Sequence, residues 1–353
     1  MPADERYSRQ ILFAGIGATG QQRLAAAHVA IVGCGATGAA AAALLARAGV
    51  GTLTLIDRDF VEPSNLQRQV LFDEQDAADA LPKAEAARRK IATFNADITV
   101  HAHVSDLVPG NIHALLQPAD LVLDATDNFE TRYLINDYAV AHGLPWIYAA
   151  AIGGYAATMN VLPVGMALPA DCGPTACLAC LFPKPPSGPV ETCDTAGILA
   201  TAVNLAASLQ VTEALKYLTG QPHLLRRTLV SFDLWTPGER AGLERSEIRT
   251  GTPDPACAVC GQRQFTHLTG ELRPHITLCG RNSVQIHEHH RPVDFAAMQQ
   301  RLAAHGSVRF NDLLLRFERP PLTLTLFSDG RAIIQGTTDV AVARTFYARF
   351  IGS

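Results

Sequence analysis

Cysteine is scarce in this chain, with eight residues in 353, too few for the disulfide framework that staples small secreted domains. Positive charge is scarce as well. Lys and Arg total 29 against 33 Asp and Glu, a net charge of -4, which offers no electrostatic footprint for DNA, RNA or an anionic membrane. An unbroken hydrophobic span is also missing. The apolar stretch from Val29 to Ile56 contains Arg47 and is interrupted by glycines, and that from Ile198 to Leu218 carries Asn204, Gln210, Glu213 and Lys216. Both read as core elements rather than membrane spans. The first residues, Met1-Pro2-Ala3-Asp4-Glu5-Arg6, are acidic and polar, unlike a secretory signal. No internal repeat or low-complexity tract occurs. A cytoplasmic globular protein with no nucleic-acid and no membrane partner is expected, and its 48% hydrophobic content is ample for a buried core.

Strand and helix patterns alternate over the first half: helices Glu5–Phe13 and Thr19–Ala27, strand His28–Val32, helix Ala36–Arg47, strand Thr52–Ile56, helix Lys83–Phe94, strand Ile98–Ala102, helix Gly110–Leu116, strand Leu121–Asp124 and helix Glu130–His142. Such alternation predicts an α/β fold, a doubly wound, Rossmann-like and mainly parallel sheet with its ligand at the C-terminal strand ends. Strand, loop and strand follow from Pro145 to Val164. A Pro-, Gly- and Cys-rich loop then leads to a helix, capped by Asp194 or Thr195, that runs to Tyr217. A strand Thr228–Phe232 precedes a turn-rich stretch from Thr236 to Pro255. Beyond Gly270 the pattern becomes short strands (Ile276–Leu278, Val284–His287, Val308–Phe317, Leu322–Phe327, Ala332–Gln335) with helices Asp294–Ala304 and Asp339–Phe350. The division expected is residues 1–268 and a small α+β domain at 269–353.

Gly33-Cys34-Gly35-Ala36-Thr37-Gly38 joins the first strand to its helix. Gly33 permits the tight turn, Gly35 lets backbone approach a phosphate, and Gly38 packs helix against strand. Cys34 reads as a small residue within that loop. Asp57 ends the next strand, where a carboxylate accepts ribose hydroxyls. A resting dinucleotide such as NAD accounts for Asp57 equally well, but it accounts less well for Asn65, Arg68, Gln69 and Lys83 close behind. A triphosphate carries about four negative charges, and its transfer needs guanidinium and ammonium groups around it. Arg88, Arg89 and Lys90 read as a solvated helix face. Asp127, just past a strand, suits Mg²⁺ or the cap of the next helix.

Cys177-x-x-Cys180 and Cys257-x-x-Cys260 offer four thiolates for a closed, structural zinc site, with redox pairs as the alternative. Cys193 precedes the expected helix start near Thr195, whose positive end would favour a thiolate; an inert buried thiol is the competing reading. Cys172 and Cys279 lack a partner, and His287, His289 and His290 read as a polar turn.

Together these residues resemble the ThiF/MoeB/HesA family, bacterial relatives of ubiquitin-activating enzymes, over roughly residues 5–265. The resemblance is carried by Tyr7-Ser8-Arg9-Gln10, the glycine loop, Asp57-x-Asp59, Asn65-Leu66-Gln67-Arg68-Gln69, Lys83, Thr126-Asp127-Asn128-Phe129-x-Thr131-Arg132 and the two cysteine knuckles. It implies ATP-dependent adenylation of the C-terminal Gly-Gly carboxylate of a ubiquitin-like sulfur-carrier protein, with pyrophosphate released, in thiamin, molybdopterin or related sulfur-transfer biosynthesis. It further implies a nucleotide site that includes Asp59 and Asn128, ribose on Asp57, phosphates on Asn65, Arg68, Gln69 and Lys83, Mg²⁺ on Asp127 and structural Zn²⁺. Arg9 would reach in from the second subunit of a homodimer, and Cys193 matches the position where some members form a covalent acyl intermediate. Where members carry Glu-Gly after the strand equivalent to Trp146–Ala151, Ala156-Ala157 stand here, a departure that bears on the carrier-tail groove. The tail beyond Gly270 lacks the active loop of a rhodanese. An NAD-dependent oxidoreductase and a non-catalytic carrier-binding scaffold are the competing functions.

Overall fold

Tyr7 breaks the first expected helix in two. Its phenol oxygen accepts a hydrogen bond from Asn95 Nδ2 at 2.9 Å, and its ring lies where a side chain at Gly49 would stand, so Ala3–Arg6 (α1) and Ser8–Ile11 (α2) form instead of one continuous helix. A third helix, Gly17–Ala26 (α3), leads into the alternation read from the sequence. The computed structural model describes residues 3–166, 168–169, 172–185, 196–237, 243–269, 276–279, 283–286, 293–311, 313–328 and 330–352. It comprises two compact units, Met1–Glu271 and Leu272–Ser353.

In the first unit His28–Val32 (β1), Ala36–Ala48 (α4), Thr52–Ile56 (β2), Glu74–Ala78 (α5), Lys83–Phe94 (α6), Thr99–His103 (β3), Ile112–Leu116 (α7), Leu121–Asp124 (β4), Phe129–His142 (α8) and Trp146–Ile152 (β5) build a parallel sheet ordered β3-β2-β1-β4-β5. Strand residues alternate between two cores. Val29, Ile31, Leu53, Leu55, Leu121 and Leu123 pack under α4 and α6, whereas Ala30, Val32, Ile56 and Val122 meet α7 and α8. Burial on both faces explains the continuous apolar runs of these strands. The eight alanines of α4 let that helix lie close to the sheet, and Gly49, at φ +80°, ends it in the left-handed conformation that glycine adopts without strain.

The sheet then turns antiparallel through Tyr155–Val161 (β6). Leu178–Leu181 (α9) lies in the cysteine-rich loop, and Ala200–Leu218 (α10) follows. Asp194 and Thr195 lie outside the described residues. Helix α10 starts later than expected because Ile198 bridges Gly153 in strand fashion and the Leu199 N–H bonds the Gly153 carbonyl at 2.8 Å. Thr228–Pro237 (β7) and Leu243–Arg249 (β8) complete an eight-stranded sheet. Strand β8 falls where the sequence reads as turns. It is an exposed edge strand bearing Glu244, Arg245, Glu247 and Arg249, with no apolar alternation to reveal it and with charges that blunt the edge. Thr266–Thr269 (α11) closes the unit. No helix among the described residues is long and apolar enough to cross a membrane.

The second unit contains Ile276–Cys279 (β9), Ser283–Ile286 (β10), Phe295–Leu302 (α12), Ser307–Phe310 (β11), Leu314–Arg319 (β12), Leu322–Phe327 (β13), Ala332–Gln335 (β14) and Val340–Phe350 (α13). Its antiparallel sheet runs β11-β12-β13-β14-β10-β9. The expected strand Val308–Phe317 is a hairpin, broken where Asn311 Oδ1 accepts the N–H groups of Leu313 and Leu314. His287, His289 and His290 lie outside the described residues.

One buried acid of α8 has a consequence for stability. Burial pushes Asp137 up to about 6, although the backbone N–H groups of His267 and Leu268 draw it the other way. A folded-state value above the unfolded one means that Asp137 opposes folding when ionised, and that this penalty fades as pH falls from about 7 toward 4. Asp137→Asn should therefore melt at a higher temperature than the unmodified chain at pH 7, and the difference should close by pH 4. Parallel melting curves across that range test it, and a gap that widens on acidification would contradict the assignment.

Candidate functional site

The glycine loop stands at the C-terminal end of β1, and each glycine has a distinct reason to lack a side chain. Gly33 has φ +90°, and a Cβ there would lie 2.6 Å from the Ala125 carbonyl oxygen. A Cβ on Gly38 would sit 1.9 Å from the Gly33 carbonyl oxygen. These two glycines are required by packing. Gly35 is different, because a Cβ there would meet only Gln69 Nε2, at 3.9 Å. Its backbone therefore faces open space at the start of α4, where a phosphate is favoured by the helix N-terminus. Cys34 is fully buried, and burial pushes its thiol far above the usual range, so it serves as a small core residue.

Asp57 closes β2 beside that loop. Its Oδ2 accepts the Cys34 N–H at 2.6 Å and its Oδ1 accepts the Asp59 N–H at 2.7 Å. Burial raises its pKa, with Lys83 the principal opposing influence. Lys83 opens α6, and its side chain is only 3% exposed. Its Nζ pairs with Asp59 Oδ2 at 3.0 Å, while Arg58 pairs with Asp106 at 2.9 Å. The cation foreseen from sequence is thus buried against a carboxylate at the ligand edge of the sheet. Asn65 and Gln69, set by a short 3-10 turn at Pro63–Asn65, are buried too. Asn65 Oδ1 accepts the Glu62 N–H, but Asn65 Nδ2 and Gln69 Oε1 have no hydrogen-bond partner among the described residues. A buried, unmatched donor and acceptor next to an open glycine suit a polar ligand such as a nucleotide. Arg68 lies at the rim, where its Nη1 donates to the Ser64 carbonyl at 2.8 Å.

Strand β4 ends beside the same loop. Asp127 is exposed and does not cap α8: Asn128 does so, its Oδ1 accepting the Thr131 N–H at 2.8 Å. The cap role read for Asp127 thus falls to Asn128, and the exposed Asp127 carboxylate has donor chemistry that would suit a hard cation. Asn128 keeps its amide nitrogen for other work. Arg132, 5% exposed, and Asp124, fully buried, form a pair at 2.8 Å that sequence reasoning missed, because a charged residue inside an amphipathic helix looks like surface. Arg9 lies on α2. Tyr7 and Gln10 hold that helix to the body through Asn95, Gln21 and Ala48, so Arg9 faces outward, near exposed Leu12 and Phe13. No hydrogen bond or ion pair among the described residues links Arg9 to the loop. Cys193 lies outside the described residues, and the start of α10 at Ala200 moves the helix N-terminus away from it along the chain.

The four knuckle cysteines come together. Cys177 and Cys180 lie 3.8 Å apart at sulfur, Cys177 and Cys257 3.6 Å, and Cys180 and Cys260 3.3 Å, all four within 4.8 Å of one another. Zinc–sulfur bonds of about 2.3 Å in a tetrahedron require sulfurs about 3.8 Å apart. The set therefore fits zinc with no open position for chemistry. We predict one zinc per chain in reductant-purified protein, lost in Cys177→Ser together with a fall in melting temperature; elemental analysis finding no metal would contradict it.

With this geometry in place, comparison with known proteins is direct. The ThiF family profile matches residues 7–259. The sulfur carrier protein ThiS adenylyltransferase of Bacillus subtilis is 43% identical over 351 residues, covering 98% of this chain and 99% of that protein. The sulfur carrier protein adenylyltransferase of Thermus thermophilus is 36% identical, over 78% of this chain and 96% of its own. Among solved structures, Escherichia coli MccB with ATP superposes with a TM-score of 0.59 at 26% identity, over 72% of this chain and 74% of that one. The chain belongs to the ThiF family.

Proposed function

We infer that this chain is an adenylyltransferase that joins AMP to the C-terminal Gly-Gly carboxylate of a ubiquitin-like sulfur-carrier protein. The observation that carries this reading is the cradle at the sheet edge: open backbone at Gly35, unmatched polar atoms on Asn65 and Gln69, and the buried Lys83 ammonium. The names of relatives that match 98% and 78% of this chain point to the same reaction.

The carboxylate is a poor electrophile. In the reaction its oxygen attacks the α-phosphorus of ATP, the α–β phosphoanhydride bond breaks, and pyrophosphate leaves as the acyl-adenylate forms. The ribose sits at Asp57, with Asp59 beside it in the nucleotide site as the partner of Lys83. Gly33, Gly35 and Gly38 shape the loop that admits the phosphates, the amides of Asn65 and Gln69 hydrogen-bond there, and Arg68 and Lys83 neutralise charge that moves onto the leaving pyrophosphate. Asp127 and the nearby Asn128 form the edge where Mg²⁺ is held, and the ion would supply further charge neutralisation. Exposed Leu12, at 74%, and Phe13, at 65%, flank Arg9 on a face that suits a homodimer in which Arg9 completes the partner's site. Cys193 acts after adenylation, in sulfur transfer. An oxidoreductase would have no use for a buried ammonium at the phosphate edge.

Three measurements test this. Pyrophosphate–ATP exchange should require a Gly-Gly-tailed carrier, and Lys83→Ala should lower it by about 10²–10³-fold, whereas unchanged exchange would remove Lys83 from the chemistry. Cys193→Ala should leave exchange intact while blocking later sulfur transfer; loss of both would make its role structural. Mixed Arg9→Ala and Asp127→Ala subunits should partly recover activity absent from either alone, and no recovery would exclude action across subunits.

A further inference from the structure

Asp127 sits in a turn, and a turn holds a carboxylate in place only if something fixes the turn. One side chain reaches across this turn. Arg132 lies one helical turn along α8, buried, with Nε donating to Asp124 Oδ2 at 2.8 Å and Nη2 donating to the carbonyls of Thr126 at 2.6 Å and Ala149 at 3.1 Å. Asp124 Oδ1 in turn accepts both the N–H of Thr126 at 2.9 Å and its hydroxyl at 2.6 Å. The Tyr148 ring covers the guanidinium, 4.7 Å from centroid to Cζ. The Asp124 carboxylate and the Thr126 carbonyl are thereby tied to one cation, and the next residue is Asp127.

The other side of this turn is the glycine loop itself. The Ala125 N–H donates to the Val32 carbonyl at 2.9 Å, and the Ala125 carbonyl lies where a Gly33 side chain would be. Movement of the turn would thus change the gap between Asp127 and the phosphate loop. We propose that Arg132 is a positioning residue for adenylation: by clamping Asp124 and Thr126 it fixes the turn that presents Asp127, the acid that would hold a divalent cation. The inference rests on the reading of Asp127 as the metal-holding acid and adds the device that aims it. Arg132 itself touches neither nucleotide nor metal.

Two variants loosen the clamp differently. Arg132→Lys keeps the charge opposite Asp124 but lacks the planar fork that reaches Thr126 and Ala149. Thr126→Val keeps the shape and removes only the hydroxyl donor to Asp124. Both are compared with Asp127→Asn, using the full chain, by Mn²⁺ titration of the protein–ATP complex followed by electron paramagnetic resonance, and by ATP titration calorimetry without metal. Groups that orient a metal ligand typically change metal affinity 10–100-fold. Arg132→Lys should accordingly weaken Mn²⁺ by about tenfold or more, Thr126→Val by a smaller factor, and both should bind metal-free ATP within about twofold of the unmodified chain. A purely structural role would lower melting temperature without this split. Unchanged Mn²⁺ affinity in Thr126→Val and in folded Arg132→Lys, with affinity lost in Asp127→Asn, would overturn the clamp and leave the reading of Asp127 intact. Unchanged affinity in Asp127→Asn would remove that reading and the clamp with it. Should Arg132→Lys fail to fold, Thr126→Val alone decides.

Discussion

The absence of room for a side chain between the first and fourth strands governs the nucleotide edge. At Gly33 and Gly38 the glycine loop, the exit of β4 and the start of α4 share one volume, with backbone atoms where Cβ atoms would otherwise stand. A methyl group at either position would displace backbone rather than a flexible side chain, and overpacking of that kind costs about 1–3 kcal/mol or more. One consequence is rigidity. Three segments far apart in sequence thereby form one body up to Ala125, and beyond it the place of Asp127 depends on the hydrogen bonds of the turn itself. Gly35, alone among the three, opens outward.

Charges are buried around this body, and their partners explain why they are tolerated. Lys83 faces Asp59, Arg132 faces Asp124, and Glu213 in α10 receives Lys216, Arg226 and the amide of Asn160. Taking an ion out of water is expensive unless a partner and further hydrogen bonds meet it, and removing one member of such a pair costs about 3–5 kcal/mol. The pairs therefore act less as sources of net stability than as devices that allow only one arrangement. Gln210 adds a neutral version, its Nε2 bridging the carbonyls of Asp124 and Ile147 at 2.8 and 2.7 Å. Helix α10 is thus joined to the same strand end that Arg132 clamps.

Much of this was legible in the residues. Alternation of strand and helix patterns gave the parallel half of the sheet, because its central strands β1, β2 and β4 are buried on both faces. The glycine spacing, Asp57 and Lys83, read together in the sequence, lie together at the strand ends, and the paired Cys-x-x-Cys knuckles form a four-sulfur cluster that could hold a metal. What escaped has a common cause. Strand β8 is an exposed, charged edge, so its periodicity carries no apolar signal. Arg132 and Asn128 stood in the motif, but the pairing of Arg132 with Asp124 and the capping of α8 by Asn128 rather than Asp127 were not read from it. Tyr7 interrupts a helix because of partners at Asn95 and Gly49, distant in sequence. Local pattern reports burial well, but it cannot report which polar residue is buried with which partner.

The cysteine cluster shows why a metal is useful at this place. Cys177 and Cys257 are separated by 80 positions, and closing a loop of that length costs about 4 kcal/mol of chain entropy. Short helices such as α9 and α11, of four residues each, bury too little surface to offset that cost alone. Helix α8 supplies the docking for both: Asn136 Oδ1 accepts the N–H of Leu178 at 2.9 Å, and Asp137 Oδ2 accepts the N–H of His267 at 2.9 Å. The Tyr133 hydroxyl donates to the Phe182 carbonyl at 2.6 Å. The same helix begins at the Asn128 cap and carries Arg132. Four thiolates that fit zinc therefore fasten the far side of the helix whose near side fixes the turn of Asp127, so a single rigid rod runs from the knuckles to the nucleotide edge.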